Sequence, residues 1–206
     1  MKEKVGLFNG DHFTPPYKAA DVTPLSREVN KKVAEKAITL LYDNQGLLPL
    51  DQNKIKNVTI ICSTHADNFF RDLGYLKSVL EERGINVRLQ RRLSSYDEME
   101  EIDDTSDLII YAAYVASHAP KGGWTLFGEE CATFHYAFNR GMKKSLAVSM
   151  GYPYLHHGFM ASAETFINTY GASPDLIDAF VKAIFGEIPF EGVSPVKIVP
   201  DPVMMV

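Results

Sequence analysis

Residues 144–154 read Lys-Ser-Leu-Ala-Val-Ser-Met-Gly-Tyr-Pro-Tyr, and this stretch decides the fold. An apolar strand over residues 145–150 stops at Gly151 and enters a turn that contains Pro153. Proline fixes its own backbone angle and keeps the residue before it extended, which indicates a strand entering a rigid turn. Because helices and strands alternate on both sides, the stretch is predicted to be a central strand of an α/β sheet. Ligands usually bind at the carboxyl end of such strands.

The alternation extends over most of the chain. Short apolar runs rich in β-branched residues predict further strands at residues 57–63, 85–89, 107–114, 164–170 and 193–199. Amphipathic spacing predicts helices at residues 69–83, 96–102, 127–138 and 174–185. Ser95 and Glu98 have the spacing of a capping box at the start of one helix. Repeated βα units predict a three-layer αβα sandwich with a flavodoxin-like, mostly parallel sheet of about five or six strands. The final strand is predicted to be an antiparallel edge.

The amino-terminal region does not resemble the start of a domain. Residues 1–22 contain a short apolar patch, a break and a proline-containing linker. Thr23-Pro24 then predicts the beginning of a helix, since proline is favoured at the first helical position. Apolar residues at helical spacing predict that this helix continues to Asn44. These residues are Val29, Val33, Ala37, Leu40 and Leu41.

Composition excludes several classes of protein. The 206 residues are 46% hydrophobic and 23% charged, as expected for a globular domain. A net charge of −5 predicts no nucleic-acid partner. No apolar run reaches the ~18 residues of a membrane helix. The start lacks the apolar core of a signal peptide, which favours a cytoplasmic location if Met1 is the natural start. Cys62 and Cys131 are expected to be buried, reduced thiols.

Three blocks of sequence together resemble one family. They are residues 4–8 with 33–41 and 46–50, residues 146–154, and residues 183–187 with Gly192 and 194–198. In this order and spacing the chain resembles the carboxyl-terminal α/β sandwich domain of glycoside hydrolase family 3, in its β-N-acetylhexosaminidase branch. The resemblance covers about the whole chain. It implies that residues 1–22 are the end of an upstream (β/α)8 barrel and a linker, and that residues 23–206 are the sandwich domain.

The resemblance places the catalytic residues elsewhere. In this family the barrel supplies the nucleophile, an aspartate, and in the hexosaminidase branch also an Asp–His acid/base pair; no matching motif occurs in this chain. In other branches the second domain supplies the acid/base glutamate from the loop after the strand at 107–114, where Glu129 and Glu130 are weak candidates. A retaining glycosidase needs two carboxyl groups about 5–5.5 Å apart. The dipole at a helix amino terminus explains Glu129 and Glu130 better than a catalytic role does.

Aromatic and histidine side chains at the carboxyl end of the sheet form a second set of candidates. The candidates for substrate binding or a domain interface are His118, Trp124, Tyr152, Tyr154 and His156. Aromatic rings stack on sugars but also fill domain interfaces, so both alternatives stay open.

Metal and cofactor sites are not expected. The six histidines lack the spacing of a zinc site, which needs about three or four ligands. Ser149 lacks the preceding glycine of a nucleophile elbow, because Ala147 occupies that position. Lys121-Gly122-Gly123 lacks the spacing of a phosphate-binding loop. The predicted metal and cofactor content is therefore none.

The resemblance implies an accessory domain of a β-N-acetylglucosaminidase that is inactive without its barrel. The alternatives are a free-standing carbohydrate-binding or protein-interaction module with the same fold, and, least supported, an independent flavodoxin-like enzyme. A former domain interface would leave an apolar patch, so we expect self-association or poor solubility of the isolated chain.

Overall fold

The computed structural model describes residues 19–64, 67–91, 93, 95–115, 144–155 and 163–197. The helices and strands in this part of the chain are, in order, α1 (Ala19–Ala37), β1 (Thr39–Asp43), β2 (Asn57–Thr64), α2 (Asp67–Glu81), β3 (Asn86–Gln90), α3 (Tyr96–Thr105), β4 (Leu108–Tyr114), β5 (Ser145–Ser149), β6 (Thr165–Asn168) and α4 (Pro174–Ile184). Within these residues, none of the helices has the length and apolar character needed to cross a membrane.

The strands form one six-stranded sheet in the order β1-β6-β5-β4-β2-β3. Every neighbouring pair is parallel except β1 and β6, which are antiparallel. The predicted α/β fold with a mostly parallel sheet is therefore confirmed. The central position of β5, between β4 and β6, is confirmed as well. Chain order reverses between β2 and β4, which makes their carboxyl ends the topological switch point where ligands bind in open α/β sheets.

Helices cover both faces of the sheet. On one face α2 and α4 pack with their Leu73 and Phe180 against the Ile60 side of β2. On the other face Met99 and Ile102 of α3 pack against the Ile61 side. Successive strand residues point to opposite faces, so strands buried on both sides read as continuous apolar runs. This confirms the three-layer arrangement.

The predicted amino-terminal helix is wrong at both ends: helix α1 begins at Ala19, so Pro24 lies inside the helix and not at its first position. Helix α1 ends at Ala37, and residues 39–43 form strand β1. Leu40 packs on the α2/α4 face, whereas Leu41 and Tyr42 pack on the α3 face. An apolar run that is buried on both sides of a sheet has the same periodicity as a buried helical turn, which explains the error.

The antiparallel edge strand is also a different segment from the one predicted. Strand β1 pairs with β6, with Thr39 opposite Asn168 and a bulge between Leu40 and Tyr42. Residues 193–197 contain no strand, and residues 198–199 lie outside the described residues. Residues 127–138, a predicted helix, also lie outside them.

The connection after β1 is held by one carboxylate. Asp43 accepts hydrogen bonds from the backbone N–H groups of Leu47 and Leu48, at 3.0 and 2.9 Å, and from the hydroxyl of Thr165 at 2.6 Å. Leu50 then donates its N–H to Ile184 O at 2.8 Å. The connection from β1 is thereby fixed to β6 and to the end of α4.

The segment after α4 returns to the junction of α1 and β1. Gly192 donates its N–H to Ile38 O at 3.2 Å. A Cβ atom at this position would lie 2.6 Å from Ala37 O and 2.7 Å from Ile38 O, and closer still to the hydroxyl oxygen of Thr39. The backbone at residue 192 therefore fits the junction because it carries no side chain.

Candidate functional site

The carboxyl ends of β2, β4, β5 and β6 meet at one edge of the sheet, because these strands are parallel. Its described residues are Ser63, Thr64, Tyr114, Val115, 149–155 and 168–171. None of these residues is acidic. We call this surface the carboxyl edge.

The turn after β5 is held against the end of β4. Met150 donates its N–H to Ala113 O at 2.9 Å, and the Ser149 hydroxyl donates to Tyr152 O at 2.6 Å. A Cβ atom at Gly151 would lie 3.1 Å from the Tyr114 ring, so the turn lies close to that ring. The turn thus has a fixed position, and Tyr152 is half-buried in it.

The end of β6 is tied to its two neighbouring strands. Thr169 donates its N–H to Ser149 O at 3.0 Å. The Tyr170 hydroxyl donates to the Thr39 hydroxyl oxygen at 3.0 Å, and Thr39 in turn donates to Ala37 O at 2.9 Å. Tyr170 has a φ of 61°, in the left-handed region that costs a residue with a side chain about 1–2 kcal/mol. Its hydroxyl therefore connects the carboxyl edge to the end of α1.

A row of small and polar side chains crosses the sheet just below this edge, on its α3 face. The register aligns one residue from each of five strands: Ser63, Ala113, Ser149, Asn168 and Thr39. All five are at most 2% exposed. The hydroxyls of Ser149 and Thr39 have the partners given above. Neither atom of the Asn168 amide has a hydrogen-bond partner.

An unpaired, buried amide is costly to the fold, at roughly 1–3 kcal/mol for each polar group. Asn168 was missed by the sequence analysis. The signal that could have found it is an asparagine inside an apolar strand, a position where asparagine is depleted.

We expect Asn168→Val to raise the free energy of unfolding by about 1 kcal/mol, measured by urea denaturation. Valine removes the unpaired amide, has one side-chain heavy atom fewer than asparagine and suits a strand. Asn168→Asp is the comparison, and it should lower stability because it buries an unpaired carboxyl group. Destabilisation by the valine variant would mean that the amide has a partner in solution, such as a buried water.

Burial raises the pKa of three side chains in the sheet above their ordinary range, those of Tyr42, Cys62 and Tyr111. Burial raises the pKa of the Cys62 thiol to about 12, although the positive charge of Arg91 lowers it by a smaller amount. Burial also raises the pKa of Tyr111, whose hydroxyl donates to the Met99 sulfur at 3.6 Å. The predicted buried and reduced state of Cys62 agrees with its 1% exposure and free thiol. Cys131 lies outside the described residues.

The described residues contain two of the predicted site residues. Tyr152 and Tyr154 lie in the turn after β5, at the carboxyl edge. The other candidates, for which the structure gives no position, are Glu129, Glu130, His118, Trp124 and His156. All six histidines of the sequence are also outside. The described part of the chain brings together no group of three or more His, Cys, Asp or Glu side chains that could hold a metal ion.

The fold and edge define an α/β sandwich domain with a flavodoxin-like strand order and an added antiparallel edge strand. No family model matches the chain. The chain is 24% identical over 208 residues to a β-N-acetylglucosaminidase/β-glucosidase of Cellulomonas fimi, covering 95% of this chain and 36% of that enzyme.

Solved structures show the same fold. The β-glucoside phosphorylase BglX superposes with a TM-score of 0.77 at 24% identity, over 95% of this chain and 36% of that one. A family 3 β-N-acetylglucosaminidase from Paenibacillus sp. FPU-7 gives a TM-score of 0.63 at 19% identity, over 93% and 36%. The predicted resemblance to the α/β domain of family 3 enzymes is confirmed. The chain spans about a third of the length of these relatives.

Proposed function

We propose that this chain is the carboxyl-terminal accessory domain of a family 3 glycoside hydrolase and acts with a (β/α)8 barrel that holds the catalytic residues. The observation that carries this proposal is the share of each chain that the structural match covers. A fold that uses 95% of this chain recurs within 36% of the length of a larger carbohydrate-active enzyme. The remaining part of such an enzyme is large enough for a barrel of about 250 residues.

The substrate class that we propose is a terminal N-acetylglucosamine residue in an O-glycosidic bond. Two relatives carry this activity in their names, the Cellulomonas fimi enzyme and the Paenibacillus enzyme. Glucosides are the competing class, because the first is also named a β-glucosidase and BglX is a β-glucoside phosphorylase. Because BglX is named a phosphorylase, phosphate is an alternative to water as the acceptor of the sugar.

The role that we propose for this domain is to shape one side of the cleft with its carboxyl edge. The turn after β5 has a fixed position and presents Tyr152 and Tyr154, whose rings suit either a sugar face or a neighbouring domain. His118, Trp124 and His156 remain predicted members of the same surface. The row of five small and polar residues that contains Asn168 crosses the sheet next to this edge.

We expect the 206-residue chain alone to give no turnover of an aryl N-acetylglucosaminide, and a longer polypeptide with a barrel before this chain to hydrolyse it. The reason is that a retaining glycosidase needs two carboxyl groups across the glycosidic bond. Release of the aryl group measures the rate. Parallel assays with an aryl glucoside, and with and without phosphate, identify the sugar and the acceptor. Turnover by the chain alone would overturn the accessory role, and Glu129 and Glu130 would then be mutated first.

A second candidate is a free-standing module that binds a protein or a carbohydrate. The observation that favours it is the exposure of Leu25, Val29 and Val33 on α1. Self-association of the isolated chain fits both candidates, because a former domain interface also leaves an apolar patch exposed. Activity of the longer polypeptide would decide against the free-standing module.

A further inference from the structure

The end of β6 carries a buried amide that the fold leaves without a partner. Among the described side chains, Asn168 is the one whose amide has no hydrogen-bond partner at either its nitrogen or its oxygen, and the residue is only 1% exposed. Folded domains rarely keep such a group, and each case calls for an explanation. A ligand that pairs with the amide is one explanation, because the cost of the unpaired group is then removed in the complex.

A second feature that lowers stability lies two residues further along the chain. Tyr170 has a φ of 61°, in the left-handed region that side chains disfavour. It is held there by its neighbours, since the Thr169 hydroxyl donates to Gly171 O at 2.7 Å and the Tyr170 hydroxyl donates to Thr39 at 3.0 Å. Strained residues persist only where the surrounding structure fixes them, and they cluster at active sites and ligand sites. Stability therefore explains neither the unpaired amide nor the strained tyrosine.

Asn168 lies at the position where α/β domains bind small molecules. It is the last residue of β6, directly below the carboxyl edge, and its register neighbour on β5 is Ser149. Ligands of open α/β sheets bind at the carboxyl ends of the strands. The turn after β5 brings Tyr152 and Tyr154 to the same edge. Aromatic rings beside a small number of polar groups are the usual lining of a ligand site.

The amide of an asparagine fits a particular kind of ligand group. It offers N–H donors and a carbonyl acceptor side by side in one plane. Two hydroxyl groups on adjacent ring carbons match this arrangement, since one accepts from the nitrogen and the other donates to the oxygen. An acetamido group matches it less well, because the N–H and C=O of a trans amide point in opposite directions. The chemistry that fits the Asn168 amide is therefore a vicinal diol of a sugar ring.

We propose that Asn168 is a sugar-binding residue that pairs with two adjacent hydroxyl groups of a pyranose, an inference whose choice of ligand rests on the proposed function. The amide is closed to solvent in the free domain, so the sugar reaches it after the end of β6 moves outward. This movement breaks the hydrogen bond between Tyr170 and Thr39 and lets Tyr170 leave the left-handed region. Release of the strain and the new hydrogen bonds of Asn168 together offset the cost of opening.

The direct test is a titration of the 206-residue chain with methyl β-N-acetylglucosaminide, followed by NMR of the Asn168 side-chain amide. This sugar has a single vicinal hydroxyl pair, which its 3-deoxy analogue lacks. We expect a saturable shift of the amide resonances with the first sugar and about tenfold weaker binding of the analogue, since two hydrogen bonds are lost. Equal binding of the two sugars would overturn the proposal, as would the absence of a saturable shift at Asn168.

Matched variants separate binding from folding. Asn168→Val should bind this sugar about tenfold more weakly without any loss of stability, because valine replaces a group that is unpaired in the sugar-free state. Asn86→Val is the control, at an exposed asparagine at the amino end of β3, and should bind as the wild type. The proposal is wrong if Asn168→Val binds the sugar normally, or if it is less stable than the wild type in the absence of sugar.

Tyr170→Phe tests the opening at the end of β6. The substitution keeps the ring but removes the hydrogen bond to Thr39, so this end should open more easily. A larger population of the open state lowers the apparent dissociation constant, and we expect about threefold tighter binding of the sugar. Weaker binding by Tyr170→Phe would show that the sugar does not enter in this way.

Failure of the sugar site and failure of the proposed function have different signatures. A methyl β-glucoside also carries vicinal hydroxyls, so Asn168 should bind it whichever sugar the longer polypeptide hydrolyses. If the longer polypeptide is active but Asn168→Val binds sugars normally, the sugar site is wrong and the proposed function stands. If the longer polypeptide is inactive and the chain still shows binding that depends on Asn168, the chain is a carbohydrate-binding module and the sugar site stands.

Discussion

Gly192→Ala is expected to lower the free energy of unfolding of this domain by about 3 kcal/mol, at the upper end of the usual cost of overpacking. The added methyl group would meet two backbone carbonyls, at 2.6 Å from Ala37 O and 2.7 Å from Ile38 O. Neither carbonyl can move alone, because Ala37 O accepts the Thr39 hydroxyl and Ile38 O accepts the Gly192 N–H. Relief of the clash therefore breaks hydrogen bonds at the junction of α1 and β1.

The control for this substitution is Gly74→Ala. Gly74 lies inside α2, and a Cβ atom there would have no neighbour within 4 Å. Alanine is a better helix former than glycine, so this variant should gain about 0.5–1 kcal/mol. Urea denaturation of both variants gives the comparison. Gly192→Ala with wild-type stability would show that the segment after α4 does not lie on this junction.

Asp43→Ala should have the second large effect, a loss of about 3 kcal/mol. The carboxylate accepts the N–H groups of Leu47 and Leu48 and the hydroxyl of Thr165. Its removal leaves donors without a partner, and hydrogen bonds to charged groups contribute about 1.5–3 kcal/mol each. Asp43→Asn keeps the shape but places an amide where two backbone donors point, so we expect an intermediate loss.

The pH dependence of the free energy of unfolding tests whether the charged carboxylate of Asp43 causes this loss of stability. Burial acts to raise the pKa of Asp43, but hydrogen bonds from Thr165, Leu48, Leu47 and Gly46 outweigh it, and the pKa is lowered. A carboxyl group with a lowered pKa in the folded state stabilises fully above its unfolded pKa of about 3.9. This contribution is lost as the pH falls through the folded pKa.

The stability difference between wild type and Asp43→Asn should therefore shrink below about pH 4. Urea denaturation from pH 7 to acid measures it. Asp51→Asn, at an exposed aspartate, is the control and should show a smaller difference at every pH. A difference between wild type and Asp43→Asn that grows as the pH falls would contradict this account.

The sequence was sufficient for the elements whose signals are local. The predicted capping box is confirmed in part, since the Ser95 hydroxyl oxygen accepts the N–H of Glu98 at 3.2 Å. The strand in residues 144–154 is also confirmed, because its apolar run ends at a glycine and a proline. Each of these signals lies within a few residues and needs no knowledge of the partner strand.

Strand β1 could not be predicted because its partner is remote. Thr39 and Leu40 pair with Asn168 and Ile167 of β6, and nothing in residues 39–43 distinguishes this pairing from a further helical turn. The same limit applies to the site. Tyr152 and Tyr154 were correctly placed in the turn at the carboxyl end of β5. The polar row with Asn168, and the Tyr170–Thr39 contact, depend on the register of neighbouring strands and were missed.

The antiparallel pairing of β1 with β6 has a consequence for the synthesis of the chain. The ribosome makes β1 early, yet its sheet partner is made only after β2, β3, β4 and β5. Until then β1 has no strand to pair with, and Leu40 and Leu41 lack the two cores on which they pack in the finished domain. Chain segments with unpaired strand edges are prone to aggregate. The nascent protein therefore exposes an apolar segment at residues 39–43 until β6 has left the ribosome. A chaperone that binds short apolar peptides would prevent this segment from aggregating.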